Sequence, residues 1–507
     1  LGRWRAQLLP ALAGGAQALV VACPALGPVL GPLPPAPPLA PAEAQRRLAR
    51  LCGALLSGCA RPEAPLCLFL DDLQWADPDS LRLLEEVLQA APGLLLIGAY
   101  RDTEVGADHA LTVTLGRLRE LGVTRRHIDV APLGCADVEA LINDTLGERG
   151  GEGAAALAAL THRRTAGNPF FVRTFLAALN DAGALRRGVD GWRIDLAVAE
   201  RAGVTDNVVA LLIERLSVLP EGALGPLQRA ACLGADFALA TLARVCGAGA
   251  GADDGGALAA RLWPSIQAGL LLPLSGARST AALAAEAATA RLRFAHDRVQ
   301  EAALAMVPEA ERPLLHREVG RHLLALLEQA GGEETDENRG LFAAVHQLNL
   351  GPTPLAPGDA LTLSRLNLRA ARQALLSAPR LSLQHGREGL RWLAHAGDAG
   401  SAEARELGWE LHILAAEMAV ASGEIDALPA LAEGARSYLR GTADAVRLGL
   451  LEARHHYTQR QHPRSQALYL DELRRLGEIL PAEPTPADIG AEMQAAGAAL
   501  GADADAT

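Results

Sequence analysis

The chain has 507 residues, of which 50% are hydrophobic and only 3% aromatic, and its formal net charge is −12. This length suffices for about three domains, and the abundance of leucine and alanine favours helices. The negative charge argues against a general surface for nucleic acids or acidic membranes. No Cys-x-x-Cys pair occurs among the 7 cysteines, so we expect reduced core thiols of a cytoplasmic protein and neither disulfides nor zinc ligands.

Residues 1–134 are predicted to form an incomplete α/β core. They begin with a short helix and a proline-rich connector, and a helix over residues 42–60 follows. The longest apolar stretch, residues 11–41, is interrupted by prolines and glycines, so we predict no membrane span. The second helix leads into an apolar strand.

That strand carries the most informative residues of the sequence. Residues 66–70 are wholly apolar, which suits a strand buried on both faces of a parallel sheet, and Asp71 and Asp72 follow directly. Ligands of such sheets bind beyond the carboxyl ends of the strands, so Asp71 would bind a hydrated Mg²⁺ while Asp72 polarises a water that attacks the γ-phosphate of ATP. Alternatively, the two acids only cap a loop. Asp77-Pro78 then predicts the start of a helix that runs to about residue 90.

A second buried parallel strand is predicted over residues 94–100, and Arg101 follows it. A guanidinium suits phosphate recognition because it offers forked donors to phosphate oxygens, although Arg101 could also be a plain surface residue. A weaker strand, His127–Val130, is predicted before the chain enters a helical lid.

The predicted lid spans residues 135–200, with helices over 135–147 and 152–166. Gly167 can end the second helix, and Pro169 after Asn168 can start another. A hairpin formed by residues 184–187 and 191–194 closes the lid.

Three motifs in these two segments resemble the AAA-type ATPase module of bacterial multidomain signalling proteins. The motifs are Leu70-Asp71-Asp72-Leu73-Gln74-Trp75-Ala76-Asp77-Pro78, Ile97-Gly98-Ala99-Tyr100-Arg101-Asp102-Thr103-Glu104-Val105 and Gly167-Asn168-Pro169-Phe170-Phe171. Proteins of this class, the STAND class of signal-transduction ATPases, carry the module between a serine/threonine kinase-like domain and a GAF plus histidine-kinase half. The module also occurs in large transcriptional activators and some adenylate cyclases. The resemblance covers roughly residues 1–350.

The resemblance implies a Walker B strand at Asp71 and Asp72 and a γ-phosphate sensor at Arg101. It also implies that Asn168 and Pro169 belong to the nucleotide site, with the proline against the adenine ring. Movement of the lid would couple the ATP or ADP state to the next domain.

The sequence departs from this family at the phosphate-binding loop. That loop requires Gly-x-x-x-x-Gly-Lys-Ser/Thr, whose lysine reaches the β- and γ-phosphates. All 47 basic residues are arginines, so the loop is not in this sequence. The chain also opens with Leu1, in a segment that resembles the part of the family after the P-loop helix. We therefore expect an N-terminally truncated fragment; the alternative is a natural pseudo-ATPase.

Residues 201–335 show a winged-helix pattern. Thr205-Asp206-Asn207 would cap a helix to about residue 219, three helices follow near 222–233, 238–247 and 255–269, and strands at 270–272 and 291–294 flank an alanine-rich insert. Acids outnumber arginines over residues 204–247, so we predict a structural role and no DNA binding. In the resembling ATPases a histidine near His296 touches the bound diphosphate; alternatively, His296 and Asp297 cap the next helix.

Residues 336–490 predict helical pairs at a spacing of about 40 residues, which suggests a tetratricopeptide-like solenoid that binds a protein partner, or else a plain bundle. The pairs are 360–377 with 380–397, 402–421 with 424–440, and 444–459 with 462–480. Residues 491–507 are predicted to be a disordered tail.

Together these features predict an α/β P-loop NTPase-like parallel sheet that lacks its P-loop strand, followed by a helical lid, a winged helix and helical repeats. The predicted function is an ATP- and Mg²⁺-dependent switch for an attached or partner kinase domain, and this fragment itself would be inactive. Two alternatives stay open: a non-catalytic scaffold that binds partners through its repeats, and the ATPase core of a transcriptional activator.

Overall fold

The computed structural model describes most of the chain. The described residues are 2–12, 15–37, 39, 41–60, 65–91, 93–146, 153–188, 191–202, 208–220, 222–247, 252–329, 334–353, 355–375, 378–397 and 401–494. They are mostly helical and separate into two compact units. One unit contains residues 1–124, 333–338 and 353–507, and the other contains residues 125–332 and 339–352.

The first unit begins with helices and a small parallel sheet. Its amino-terminal elements are α1 (Gly2–Ala11), α2 (Ala16–Ala22), α3 (Gly27–Leu30), α4 (Pro41–Cys59), β1 (Leu66–Leu70), α5 (Pro78–Ala90), β2 (Leu94–Gly98) and α6 (Ala110–Glu120). The proline-rich connector, predicted over residues 27–41, is therefore partly helical, in α3. Leu12, Leu19 and Leu30 pack with Leu48 of α4 in one small core. Helix α4 also packs against α5, and α5 packs against α6.

Strands β1 and β2 lie side by side in parallel, with Leu66 opposite Leu94 and Leu70 opposite Gly98. Their pairing continues beyond the strands, because the Ala99 N–H donates to the Leu70 carbonyl and the Leu73 N–H donates to the Ala99 carbonyl, each at 2.9 Å. Both strands were expected, and both form.

The third predicted strand was wrong. Residues 127–130 have no regular secondary structure, and Ile128 and Val130 are 81% and 92% exposed. A β-strand requires a hydrogen-bonded neighbour, and none of the described residues pairs with this segment. The parallel sheet therefore has two strands in the described part of the chain instead of three.

The expectation that β1 is buried on both faces was also wrong. Cys67 and Phe69 of β1 lie opposite Leu95 and Ile97 of β2, and all four side chains are exposed, Phe69 to 58%. Side chains alternate along a strand, so these four share one face of the sheet. That face carries no covering layer of described residues.

The second unit starts with the predicted lid. Its elements to residue 202 are α7 (Cys135–Leu146), α8 (Ala154–Thr165), α9 (Pro169–Asp181), β3 (Leu185–Gly188), β4 (Gly191–Ile194) and α10 (Leu196–Ala202). Val138 and Ile142 of α7 pack with Leu157 of α8 and Phe175 of α9 in one core. Strands β3 and β4 form the predicted antiparallel hairpin. Residues 189 and 190 lie outside the described residues.

The rest of the second unit contains an antiparallel sheet among helices. Its elements are α11 (Val208–Ser217), α12 (Leu224–Leu233), β5 (Asp236–Ala238), α13 (Leu239–Val245), α14 (Ala252–Gln267), β6 (Leu271–Pro273), α15 (Thr280–Ala285), β7 (Arg291–Phe294), α16 (Asp297–Ala305), α17 (Arg312–Gln329) and α18 (Glu334–Asn349). The strand order is β5-β7-β6. Leu216, Leu227, Leu262 and Phe294 share the core of this region.

Strand β5 and helices α15 and α17 were not predicted. Strand β5 is only three residues long, and α15 lies within the alanine-rich insert, where Ser279 caps it by accepting the N–H of Ala282 at 3.1 Å. The predicted cap Thr205-Asp206-Asn207 lies outside the described residues.

The carboxyl-terminal helices belong to the first unit. They are α19 (Pro357–Ala374), α20 (Pro379–Leu393), α21 (Ala402–Ser422), α22 (Leu428–Arg436), α23 (Thr442–Thr458) and α24 (His462–Arg475). Each packs against the next along the chain, so the six predicted helices are confirmed. Trp392 and Trp409 are buried among them. Residues 486–494 are also helical, and the remainder of the predicted tail lies outside the described residues.

The cysteines were predicted to be core residues, but only Cys232 is fully buried. Cys23, Cys67 and Cys135 are exposed, and the other three are half-buried. Burial raises the pKa of the Cys232 thiol to about 11. Among the helices that the structure describes, none combines the length and the apolar character needed to cross a membrane.

Candidate nucleotide site

The first functional cluster lies where β1 ends. Asp71 is exposed, and its Oδ1 accepts the N–H of Asp72 at 3.0 Å. Asp72 has a left-handed backbone with φ of 53°, which is uncommon for a residue other than glycine. The two acids have different contacts, because Asp72 Oδ1 lies near Gln74 and Arg101 whereas Asp71 Oδ1 accepts a backbone N–H.

Gln74 connects the acidic segment to the next strand. Its side chain is only 6% exposed, and Nε2 donates to Asp72 Oδ1 at 2.9 Å while Oε1 accepts the N–H of Arg101 at 3.2 Å. The carbonyl oxygen of Gln74 lies 3.1 Å from Nε2 of His109. Because Nδ1 of that ring accepts the N–H of Leu111, Nε2 is the protonated nitrogen and the donor. Gln74 was read from the sequence only as part of the motif.

Arg101 follows β2, as predicted, and lies close to the acidic residues. Its Nη2 is 3.8 Å from Asp72 Oδ1, and Nη1 donates to Glu104 Oε1 at 3.2 Å. The guanidinium carbon is 5.4 Å from the centre of the exposed Trp75 ring, within the range of a cation–π contact. The structure thus brings Asp72 and Arg101 to one edge of the sheet, and Asp71 stands beside them.

The donor set at this edge fits a hydrated magnesium ion. Mg²⁺ takes one or two carboxylates and completes its shell with water and substrate phosphates, so it does not need a cage of protein ligands. Asp71 and Asp72 supply that number. No group of three or more histidine, cysteine or acidic side chains suited to a metal occurs in the described ranges.

The second predicted cluster lies in the other unit, at the start of α9. Asn168 is the N-cap, and its Oδ1 accepts the N–H groups of Phe170 and Phe171 at 3.0 and 3.3 Å. Gly167 has φ of 75°, and a Cβ there would lie 2.1 Å from the Leu133 carbonyl oxygen. Glycine is therefore required by both the backbone and this close approach. Pro169 occupies the first turn, where its missing N–H has no cost.

His296 meets this segment through aromatic contacts. Its ring stacks on Phe170 with the ring centres 4.5 Å apart, and Phe171 is 6.0 Å away. Nδ1 of His296 accepts the N–H of Arg298 at 3.1 Å, so His296 is the N-cap of α16. The same nitrogen contacts the carboxylate of Asp297. The capping interpretation is confirmed, and the stacking with Phe170 was not predicted.

One comparison with known proteins covers the acidic part of the first cluster. A family model described as AAA ATPase domain matches residues 1–97. The match includes β1, both acids and most of β2, and it ends before Arg101. No curated protein matches the chain, and no solved structure does. The amino-terminal region is thus similar to an AAA-type ATPase module.

Proposed function

We propose that this chain belongs to an ATP-dependent regulatory switch of the STAND class, in a bacterial signal-transduction kinase. The observation that carries the proposal is the edge of the β1–β2 sheet, where two adjacent acids follow β1 and the second of them, Asp72, lies 3.8 Å from the arginine that follows β2. The similarity of residues 1–97 to an AAA ATPase domain supports it.

In this proposal Asp71 holds the magnesium ion of Mg-ATP, and Asp72 polarises the water that attacks the γ-phosphate. The ion, when bound, neutralises charge on the β- and γ-phosphates. Gln74 fixes the rotamer of Asp72 through its donated hydrogen bond, and Arg101 presents forked donors toward the γ-phosphate. In its present position Arg101 is balanced by Asp72 and Glu104, so phosphate would compete with these carboxylates for it.

The proposal requires a phosphate-binding lysine from residues other than these 507, because the sequence has none. Asn168, Pro169 and His296 are proposed to respond to the nucleotide from the lid and the following domain. Changes between ATP and ADP would then reach an attached kinase domain in the cytoplasm. We propose that the β5-β7-β6 region is a winged helix that transmits this change without binding DNA.

The test uses a longer protein in which a Gly-Lys-Ser/Thr loop precedes this sequence. Asp71→Asn should weaken Mg-ATP binding, because it removes a metal ligand. Asp72→Asn should slow hydrolysis and leave binding nearly intact, because it removes the group that polarises water. Asp129→Asn, at an exposed position after the sheet, is the matched control. Wild-type hydrolysis by both variants would show that the acidic edge is not the site.

A second candidate function is a protein-binding scaffold. It is favoured by ion pairs between alternate helices of the carboxyl-terminal region. Ion pairs join α19 to α21 and α21 to α23, for example Arg365 to Glu403 at 3.2 Å and Arg447 to Glu417 at 2.8 Å. Alternate helices therefore form one continuous surface, as in tetratricopeptide-like arrays. If the scaffold function is correct, partner binding will persist in the Asp71→Asn and Asp72→Asn variants regardless of nucleotide.

A further inference from the structure

Helix α20 lacks a cap of its own. Ala378 occupies the N-cap position and makes no side-chain hydrogen bond to the first turn, and Pro379 follows. The first N–H groups of a helix have no partner within it, and an uncapped end is less stable by about 1 kcal/mol. In α20 a residue from far along the sequence supplies the acceptor.

That residue is Asp79, in the first turn of α5. Its Oδ2 accepts the backbone N–H of Arg380 at 3.1 Å, across a separation of 301 residues. Both residues belong to the first compact unit. The carboxylate also lies at the positive end of the α20 dipole, where a negative charge is favoured. Asp79 thus supplies, from another helix, the acceptor that an N-cap side chain would give to the first turn of α20.

The contact is buried and incompletely satisfied. Asp79 is 4% exposed, and its Oδ1 accepts no hydrogen bond from any described residue. Nε of Arg380 is likewise buried without an acceptor among the described residues. An unsatisfied buried polar group costs roughly 1–3 kcal/mol. Asp79 and Arg380 therefore each retain a buried atom whose hydrogen-bonding capacity is not used by a described residue.

Asp79 is also tied to the acidic edge of the sheet. Asp77, the N-cap of α5, accepts the N–H groups of Asp79 and Ser80 at 2.9 Å each. Only a short loop separates Asp77 from Asp72. Displacement of the acidic loop would therefore move the first turn of α5, and with it the carboxylate that caps α20.

We propose that Asp79 couples the acidic loop after β1 to the carboxyl-terminal helices by capping α20. The coupling does not depend on the proposed nucleotide chemistry, since it needs only that the loop and the first turn of α5 move together. Through this contact, a movement at the edge of the sheet would change the stability of the first turn of α20.

The first experiment measures amide hydrogen exchange of the full chain and its Asp79→Ala variant. Loss of a helix cap predicts about fivefold faster exchange in the first turn of α20, residues 380–383. Glu43→Ala is the matched control, because Glu43 is an exposed acid in the first turn of α4. Unchanged exchange at residues 380–383 in Asp79→Ala would overturn the proposal.

A rescue experiment distinguishes the loss of the helix cap from a general loss of structure in the unit. Ala378→Ser gives α20 its own capping hydroxyl, so the double variant Asp79→Ala with Ala378→Ser should recover wild-type exchange at residues 380–383. If the first turn of α20 remains fast in that double variant, Asp79 acts through the fold of the unit and not as a cap, and the proposal is wrong.

The Asp77→Ala variant tests the coupling, because it removes the cap of α5 without changing the Asp79 side chain itself. Exchange at residues 380–383 should rise in this variant. It should rise no further when Asp77→Ala is added to Asp79→Ala, because the link is already broken. A change confined to α5 in Asp77→Ala would show that the loop and α20 are not coupled.

Discussion

Replacement of Gln74 by leucine tests whether one buried amide holds the acidic loop against β2. Leucine has a similar volume and suits a position that is 6% exposed, so the change removes hydrogen bonds and creates little cavity. It deletes the donor to Asp72 Oδ1 and the acceptor for the N–H of Arg101. The contact between the Gln74 carbonyl and His109 remains, because it belongs to the backbone.

The expected cost follows from these two bonds. The Asp72 side chain is 41% exposed, so water replaces much of the lost donor, and we assign about 1 kcal/mol. The N–H of Arg101 loses Gln74 Oε1 as an acceptor in a partly buried position, which adds about 1 kcal/mol. The free energy of local opening should therefore fall by about 2 kcal/mol, equivalent to roughly thirtyfold faster exchange.

Hydrogen exchange of the full chain measures this change locally, since a chain with two compact units does not unfold in one step. The amides of Leu73 and Arg101 should exchange faster, whereas helix α21 should be unaffected. Gln89→Leu is the matched control, because Gln89 is on neighbouring α5 and donates a single hydrogen bond to a helix carbonyl. Wild-type protection of Leu73 and Arg101 in Gln74→Leu would refute the role given to this residue.

Three further outcomes are expected. Isothermal titration of this chain with Mg-ATP should show only weak binding, because the lysine and the backbone nest of a phosphate loop are not in the sequence, and a micromolar dissociation constant would contradict this. Phe170→Ala should lower the free energy of unfolding of the second unit by about 2 kcal/mol, since it removes a half-buried ring that packs on the core and on His296, and unchanged urea unfolding would count against that packing. Burial raises the pKa of Cys232 from 9.0 to about 11, so the stability that its neutral thiol contributes is complete below pH 9.0 and is lost as the pH rises to about 11. The difference in the free energy of unfolding between the wild type and Cys232→Ala should therefore shrink over that pH interval in unfolding experiments.

Features set by neighbouring residues were predictable from the sequence. Asp77-Pro78 and Asn168-Pro169 each place a side-chain acceptor before a proline, and both start a helix at the predicted residue. The periodic apolar residues of α19 to α24 likewise gave the helices and their boundaries within a few positions. These signals depend on local hydrogen bonds and on one apolar face, so they need no knowledge of distant parts of the chain.

Features that depend on distant partners were not predictable in the same way. Gln74 has no local pattern that marks it as buried, because its two side-chain bonds require the loop after β2 to be in place. The stacking of His296 on Phe170 joins positions 126 residues apart in the chain, and the contact of Asp79 with Arg380 spans 301 residues. A single sequence shows the chemistry of each residue, but it does not show which residues meet.

The two errors in the sheet have a common physical cause. A continuous apolar run indicates that a strand is suited to burial on both faces, and Phe69, Leu95 and Ile97 are suited to a covered face just as Ile128 and Val130 are suited to a strand. Whether that burial occurs depends on the partner that covers the face or pairs with the edge. None of the described residues does so, and the same side chains are exposed. The apolar pattern therefore shows that these side chains are suited to burial. Their exposed fractions show that the described residues do not supply the surface that would bury them.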